Sequence, residues 1–240
     1  MKTQIENYSF DELLNNIIRY ALKIGAIKIR PTEPFTWASG FKMPIYNDNR
    51  MLLAFPESRT MIIELLKRKF QQEDIQSQAI AGTATAGIPW GAILAHELEL
   101  PFVYIRDKAK DHGLKNRIEG LNADEDFNGA KVVVIEDLIS TGNSSANAVQ
   151  AVQEAKGNVY SCLSIFNYGF PEAQQLFANL TPPVMVQSLI TYPRLLEEAI
   201  KIYYLQPDQI NMLKDWNENP FEWGIKNGFP RLEEKKLLTN

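Results

Sequence analysis

KVVVIEDLISTGNSS, residues 131–145, contains three kinds of residue in a definite order. The four branched apolar residues 132–135 form a short continuous run, which is typical of a strand buried on both faces of a parallel sheet. The acidic pair Glu136 and Asp137 follows this run, and hydroxyl residues with one glycine occupy 140–145. Residues 146–155 then show a helical pattern. This order predicts a strand that ends at Ile135, two carboxylates, a loop and a helix.

The loop at 140–145 is predicted to bind a phosphate. At the carboxyl end of a parallel strand, such a loop directs backbone N–H groups and hydroxyls into one concavity, and the next helix adds its positive N-terminus. Two carboxylates beside it would repel the phosphate, so hydroxyls or a divalent cation are their expected partners. A ribose with a 5-phosphate has both the phosphate and the hydroxyls. The alternative is an ordinary turn with Ser or Asn as N-cap. Neither GxxxxGK[ST] nor GxGxxG occurs in the chain.

Composition limits the possible partners. The 240 residues are 45% hydrophobic and 22% charged, with a net charge of −4, which argues against bulk electrostatic binding to nucleic acid. No signal-peptide pattern and no run of eighteen uncharged apolar residues occurs, so we expect a cytoplasmic protein without a membrane partner. The single cysteine, Cys162, cannot form an internal disulfide and is expected to be buried.

Short apolar runs alternate with helical patterns along most of the chain, which predicts an α/β fold with a mostly parallel central sheet flanked by helices. A capping box at Ser9 and Glu12 predicts a first helix that ends near Gly25. FTWASGFKMPIY, residues 35–46, is predicted to be a hairpin that forms a small hood or flap beside the sheet. The expected single domain, 1–240, divides into three parts: an N-terminal helix and hood at about 1–55, a core at about 56–190, and a helical C-terminal extension at about 191–240.

Within that scheme, further strands are predicted at 79–82, 101–105, 159–166 and 184–189, and further helices at 56–70, 88–98, 194–203 and 207–216. The small-residue loop 82–87 is expected to admit another backbone or a phosphate. The tail beyond Asn219 is expected to be peripheral.

Residues 106–117, RDKAKDHGLKNR, contain five basic and two acidic residues in a chain that is acidic overall. A solvated charged loop is one interpretation. The other is a lid over a polyanion, because the segment follows a strand on the same sheet edge as the predicted phosphate loop. Gly113 and Gly120 are placed like hinges around it.

Four segments together resemble the orotate phosphoribosyltransferases, a family of type I phosphoribosyltransferases: 35–50, 82–89, 106–120 and 132–145. The resemblance covers about residues 10–190. It implies the type I phosphoribosyltransferase fold and transfer of the 5-phosphoribosyl group from 5-phosphoribosyl 1-diphosphate to orotate, giving orotidine 5′-monophosphate and diphosphate. It also implies Mg²⁺ as cofactor and a homodimer in which the lid serves the partner's active site.

The resemblance implies roles for individual residues. Glu136 and Asp137 would hold the ribose hydroxyls, and Ser140 and Tyr46 would lie at the orotate. Mg²⁺ would be bound mainly through substrate oxygens, without a firm protein ligand. The residues implied in catalysis are Lys110, His112, Arg106 and Asp137, the first three at the diphosphate. The phosphoribosyl diphosphate site would also include Leu138, Ile139, Ser140, Thr141, Gly142, Asn143 and Ser144.

The chain departs from the family at three positions. Some members have lysines where this chain has Ala38 and Ala86, and many have an arginine where it has Asn167. The residue that meets the orotate carboxylate is therefore left open. Two other functions also remain as alternatives: a phosphoribosyltransferase for another base, and a non-catalytic regulator that senses phosphoribosyl diphosphate.

Overall fold

A computed structural model describes residues 5, 7–107, 117–122 and 124–232. The strands are β1 (Ile27–Ile29), β2 (Phe35–Thr36), β3 (Lys42–Met43), β4 (Ile45–Asn47), β5 (Ala79–Thr83), β6 (Phe102–Ile105), β7 (Ile118–Glu119), β8 (Lys131–Ile139), β9 (Asn158–Asn167) and β10 (Met185–Thr191). The α-helices are α1 (Phe10–Ile24), α2 (Pro56–Gln72), α3 (Gly87–Leu98), α4 (Asn143–Glu154), α5 (Pro171–Ala178), α6 (Tyr192–Lys201), α7 (Pro207–Glu218) and α8 (Pro220–Lys226); a 3₁₀ helix spans Asn49–Ala54.

The central sheet has six strands in the order β10-β9-β8-β5-β6-β7. All neighbouring pairs are parallel except β6 and β7. Helices connect several of these parallel strands, as crossover connections require. The predicted α/β class with a mostly parallel sheet is confirmed.

β8 lies inside the sheet between β5 and β9, and its apolar run is buried on both faces. Val133 and Ile135 belong to a core cluster shared with α1, α2 and α3. Val132 and Val134 belong to a second cluster shared with α4 and α5. Successive strand residues point to opposite faces, so a continuous apolar run serves two cores.

The predicted end of β8 at Ile135 is wrong. The ladder with β9 continues through Glu136 and Leu138 to Ile139, which pairs with Asn167. β9 is ten residues long and supplies backbone partners beyond the apolar run, so the strand carries the acidic pair itself. The carboxylates are therefore fixed by strand geometry rather than by a loop.

The N-terminal part forms the predicted helix and hood. In α1 the N–H of Glu12 donates to Ser9 Oγ at 3.2 Å, the N–H of Ser9 donates to Glu12 Oε2 at 2.7 Å, and Gly25 ends the helix at φ 74°. β2 and β3 form the predicted antiparallel hairpin. The predicted second arm is divided at Pro44, which has no N–H for a ladder, and β4 pairs with β1 instead.

Three further parts of the chain differ from the sequence prediction. Neither β7 nor α5 was predicted. The tail expected to be peripheral forms α8 and packs Trp223 into the core, because its aromatic side chains require burial, and it continues along the hood to Leu232. Trp216 and Trp223 are 0% and 2% exposed. Cys162 is buried as predicted.

Within the described residues, no helix is both long enough and apolar enough to cross a membrane.

Candidate functional site

Glu136 and Asp137 are adjacent in β8 but have different surroundings. Glu136 is 5% exposed and lies under the start of α4, where Ser145 Oγ donates to its Oε2 at 2.9 Å. The N–H of Asp137 donates to Glu136 Oε1 at 3.0 Å. Asp137 is half-buried; Asn49 Nδ2 donates to its carbonyl oxygen at 2.8 Å. The Glu136 carboxylate is thus directed toward α4, whereas the backbone of Asp137 contacts the N-terminal part of the chain.

Burial changes the acidity of both groups. It raises the pKa of Glu136 well above its ordinary value, and the charge of Asp137 raises it further. Burial also raises the pKa of Asp137, whereas its hydrogen bond with Glu136 and the charge of Arg50 lower it. Two poorly hydrated carboxylates side by side favour a cation or hydroxyl donors as partners.

The loop after β8 leads directly into α4. Gly142 is the N-cap at φ 83°, and no side chain caps the helix. The alternative of a Ser or Asn N-cap is therefore wrong. The side chains of Asn143 and Ser144 are exposed, and Asn143 Nδ2 donates to Thr141 Oγ1 at 3.1 Å. The uncapped N-terminus of a twelve-residue helix, bordered by hydroxyls, is suited to an anion.

The predicted small-residue loop 82–87 begins within the end of β5, which is paired with β8. A Cβ at Gly87 would collide with the carbonyl oxygen of Ile135, so the smallness of this loop allows another backbone to approach, as predicted. The N–H of Ala84 donates to the Ile105 carbonyl at 2.8 Å, and the Ala84–Thr85 peptide bond is cis.

The predicted lid begins at the same sheet edge. Asp107 Oδ1 accepts a hydrogen bond from Ser144 Oγ at 3.5 Å, which brings the start of the lid beside the phosphate loop. Arg106 Nη1 lies 3.2 Å from Glu119 Oε1. Lys110 and His112, together with Gly113, lie outside the described residues.

A cavity of about 460 Å³ connects the hood with the loop after β8. It brings together Tyr46 and Ser140, the two residues predicted at the base. Its wall is mainly apolar and aromatic, and it is large enough for a planar ring with a few polar substituents. The other lining residues are Thr36, Trp37, Ala38, Ser39, Asn47, Leu138, Thr141, Tyr168 and Phe221.

Sequence reasoning did not assign Thr36, Trp37, Asn47, Tyr168 or Phe221 to the base site, and the last two lie outside the N-terminal helix and hood. Both come from parts of the chain distant from the hood and from β8. The close spacing of Trp216, Phe221 and Trp223 was the available signal, because three aromatic residues in eight positions indicate a buried segment.

Comparisons with known proteins agree with this arrangement. The family model described as "Phosphoribosyl transferase domain" matches residues 48–174. Orotate phosphoribosyltransferase of Cytophaga hutchinsonii is 46% identical over 202 residues, covering 84% of this chain and 94% of that protein. The Streptococcus pneumoniae enzyme of the same name is 45% identical over 215 residues, covering 88% and 98%. The crystal structure of orotate phosphoribosyltransferase from Aeropyrum pernix has a TM-score of 0.65 at 29% identity, covering 79% and 99%.

Proposed function

The chain belongs to the orotate phosphoribosyltransferase family, and from this premise we propose how its residues transfer the 5-phosphoribosyl group to orotate. The bond between the anomeric carbon and the diphosphate oxygen breaks, and its electron pair leaves with diphosphate. A new bond forms from the ring nitrogen N1 of orotate to that carbon, and the N1 proton is released. The products are orotidine 5′-monophosphate and diphosphate, in pyrimidine biosynthesis.

The observation that carries the assignment is the cavity shared by the hood and the loop after β8. Tyr46 and Ser140 line this cavity, and Thr141 belongs to both the cavity and the phosphate loop. We assign the cavity to orotate and the N-terminus of α4, with Ser140 to Ser144, to the 5-phosphate. Glu136 and Asp137 lie in β8 just before the phosphate loop and are assigned to the ribose hydroxyls.

The diphosphate is assigned to Arg106, Lys110 and His112. Bond breaking builds negative charge on the leaving diphosphate, so cations that close over it stabilise the transition state more than the ground state. Lys110 is our first choice for the catalytic cation, with a contribution of about 3 kcal/mol by analogy with a single oxyanion donor. His112 acts either as an acid or as a hydrogen-bond donor.

Mg²⁺ fits this donor set through the substrate. Among the described residues, no group of three or more His, Cys, Asp or Glu side chains could hold a metal ion. Mg²⁺ commonly keeps one or two carboxylates together with phosphate oxygens and water. Asp137 is the half-buried carboxylate suited to that role. When bound, the ion would neutralise charge that develops on the diphosphate.

We assign the orotate carboxylate to Lys42. Among the described residues that line the cavity, none has a basic side chain, and Ala38, Ala86 and Asn167 supply no cation. Lys42 lies opposite Thr36 in the hood hairpin, and its Nζ donates to Thr36 Oγ1 at 2.7 Å. Because Thr36 lines the cavity, the Lys42 ammonium lies next to a residue that would contact a bound base.

We also propose a homodimer in which each lid serves the partner's site. Asp107, at the start of the predicted lid, accepts a hydrogen bond from Ser144 Oγ at 3.5 Å, beside the loop proposed for the 5-phosphate. The proposal draws on membership of the family.

The test follows the absorbance of orotate with 5-phosphoribosyl 1-diphosphate and Mg²⁺ for wild type, Lys110→Ala and the control Lys214→Ala, an exposed position in α7. Wild type and the control should consume orotate at similar rates, and Lys110→Ala should lose about a hundredfold or more in kcat. Absence of orotate consumption by wild type that still binds 5-phosphoribosyl 1-diphosphate would contradict the proposal.

A further inference from the structure

The C-terminal segment 207–232 packs against the hood. Gly224 of α8 lies against the backbone of β3: a Cβ at this position would meet the Lys42 carbonyl oxygen at 3.0 Å. Phe221 packs edge-on against Phe41, with ring centroids 5.2 Å apart. Trp216 Nε1 donates to Met43 Sδ at 3.1 Å. The hairpin therefore rests on the C-terminal segment as well as on the sheet.

The end of this segment holds the turn of the hairpin. Arg231 donates from Nε and Nη2 to the Ser39 carbonyl oxygen at 3.1 and 2.9 Å, and its guanidinium lies 4.3 Å from the centre of the Phe41 ring. The N–H of Leu232 donates to the Gly40 carbonyl oxygen at 3.0 Å. Gly40 has φ 80°, and the Leu232 carbonyl occupies the space where a Cβ would lie. Two backbone carbonyls of a tight turn are thus fixed by residues about 190 positions away.

The turn held in this way is part of the cavity wall. Trp37, Ala38 and Ser39 line the cavity, and so does Phe221 from α8. The rings of Trp37 and Tyr168, which both line the cavity, contact each other and the buried ring of Trp216, with centroids 5.4 to 6.4 Å apart. A change in the C-terminal segment would therefore alter the cavity without contacting the phosphate loop.

We propose that the C-terminal segment shapes the base site: Phe221 is a specificity-determining residue that contacts the base, and Arg231 is a positioning residue that holds the hairpin turn. The inference rests on the proposed function, because it takes the cavity to be the orotate site. It assigns to the extension a role in base recognition and none in binding 5-phosphoribosyl 1-diphosphate.

The experiment measures KM for each substrate and kcat in wild type, Phe221→Ala and Arg231→Ala. Phe229→Ala is the matched control: Phe229 belongs to the same segment and stacks on Trp223, but it is not among the cavity-lining residues. Phe221→Ala should raise KM for orotate about tenfold, since burial of the base against the ring is lost. Arg231→Ala should raise KM for orotate about threefold, and Arg231→Lys should raise it less than Arg231→Ala does. KM for 5-phosphoribosyl 1-diphosphate should stay within about twofold in all variants, and Phe229→Ala should change neither KM.

The outcomes separate the inference from the proposed function. Inactive wild type overturns the proposed function and the inference with it. Active wild type with an unchanged orotate KM in Phe221→Ala and Arg231→Ala overturns the inference alone. The inference is also overturned if KM rises for both substrates and rises to the same extent in Phe229→Ala. The substitutions would then act only by destabilising the folded protein.

Discussion

The two carboxylates of β8 are adjacent in sequence but differ in burial and in the groups around them. Glu136 is buried against Ser145, whereas Asp137 is half-buried and lies within the influence of Arg50. A charged carboxylate that is buried destabilises the folded protein unless a cation or hydrogen-bond donors compensate its lost hydration. The proposed ligand would supply such groups, so we expect the buried carboxylate to lower the stability of the ligand-free protein.

Glu136→Gln should therefore stabilise the free protein in a pH-dependent way. The folded-state pKa of Glu136 lies above its ordinary value of 4.5, so the stability associated with the neutral form is fully present below pH 4.5. This stability is lost as the pH rises through the folded-state pKa. Glutamine stays neutral, so the free energy of unfolding of the variant should exceed that of wild type increasingly above pH 4.5.

Urea denaturation without substrates, from pH 4.5 upward, would measure this difference. Glu172→Gln, an exposed glutamate in the first turn of α5, is the control and should show no such trend. A difference that stays constant with pH, or that favours wild type at high pH, would show that Glu136 is not destabilised by burial.

Lys42 can be tested through a base that lacks the carboxylate. Lys42→Met should lower kcat/KM for orotate about ten- to a hundredfold, which corresponds to a charge-assisted hydrogen bond of about 1.5–3 kcal/mol. The inhibition constant of uracil, measured against orotate, should stay the same. If Lys42→Met weakens uracil and orotate equally, the lysine does not read the carboxylate. Lys214→Met is the charge-matched control.

At the scale of single residues, the sequence predicted two residues that line one cavity, Ser140 and Tyr46, but not the aromatic residue Phe221, which lines it as well. The order of Glu136, Asp137 and Ser140 after an apolar run is a local motif, and Tyr46 was assigned through the family resemblance. Phe221 is an ordinary aromatic residue in sequence, and it becomes part of the cavity only because α8 packs on the hood.

Among the elements, the loop between β8 and α4 depends on one backbone conformation. Gly142 has φ 83°, and a Cβ there would lie 3.2 Å from Ala173 Cβ and Phe177 Cε2. Gly142→Ala should cost about 1–2 kcal/mol of stability. Because this residue precedes the helix N-terminus proposed for the 5-phosphate, we also expect a higher KM for 5-phosphoribosyl 1-diphosphate.

Gly129→Ala separates these two effects. Gly129 has nearly the same φ, 77°, but no heavy atom of the described residues lies within 4 Å of its Cβ position, and it precedes β8, whereas the phosphate loop follows β8. Both variants should lose stability, measured by urea denaturation, whereas KM should rise only in Gly142→Ala. An unchanged KM in Gly142→Ala would contradict the assignment of the loop to the phosphate.

The types of the helices and strands followed from periodicity in the sequence, but their boundaries depend on the elements with which they pair or pack. β8 extends past its apolar run because β9 supplies hydrogen bonds as far as Asn167. The hood arm is divided at Pro44 because β1 pairs with β4. Helix α8 has only seven residues, too few for an apolar period, and forms where Trp223 can be buried.

For the whole molecule, the proposed exchange of lids between subunits predicts complementation. Lys110→Ala and Asp137→Asn should each be nearly inactive alone. Mixed after dissociation and reassociation, they should recover about a quarter of the wild-type activity, because half of the dimers would be mixed and each would hold one intact site. Recovery is measured by consumption of orotate. No recovery, despite mixed dimers seen by mass, would place each lid on its own subunit.

The fold class follows from local patterns, the alternation of strands and helices, and the reaction follows from the resemblance of four segments to the family. The relation between the C-terminal segment and the hood does not, because it joins residues such as Ser39 and Arg231 that no local pattern links.

The central claim is that the cavity between the hood and the phosphate loop selects orotate. Its most direct test is release of diphosphate from 5-phosphoribosyl 1-diphosphate with Mg²⁺, compared for orotate, uracil, hypoxanthine and adenine. We predict release with orotate, at the rate at which orotate absorbance is lost, and none above background with the purines. Release with hypoxanthine or adenine but not with orotate would contradict the claim, as would binding of 5-phosphoribosyl 1-diphosphate with no release for any base.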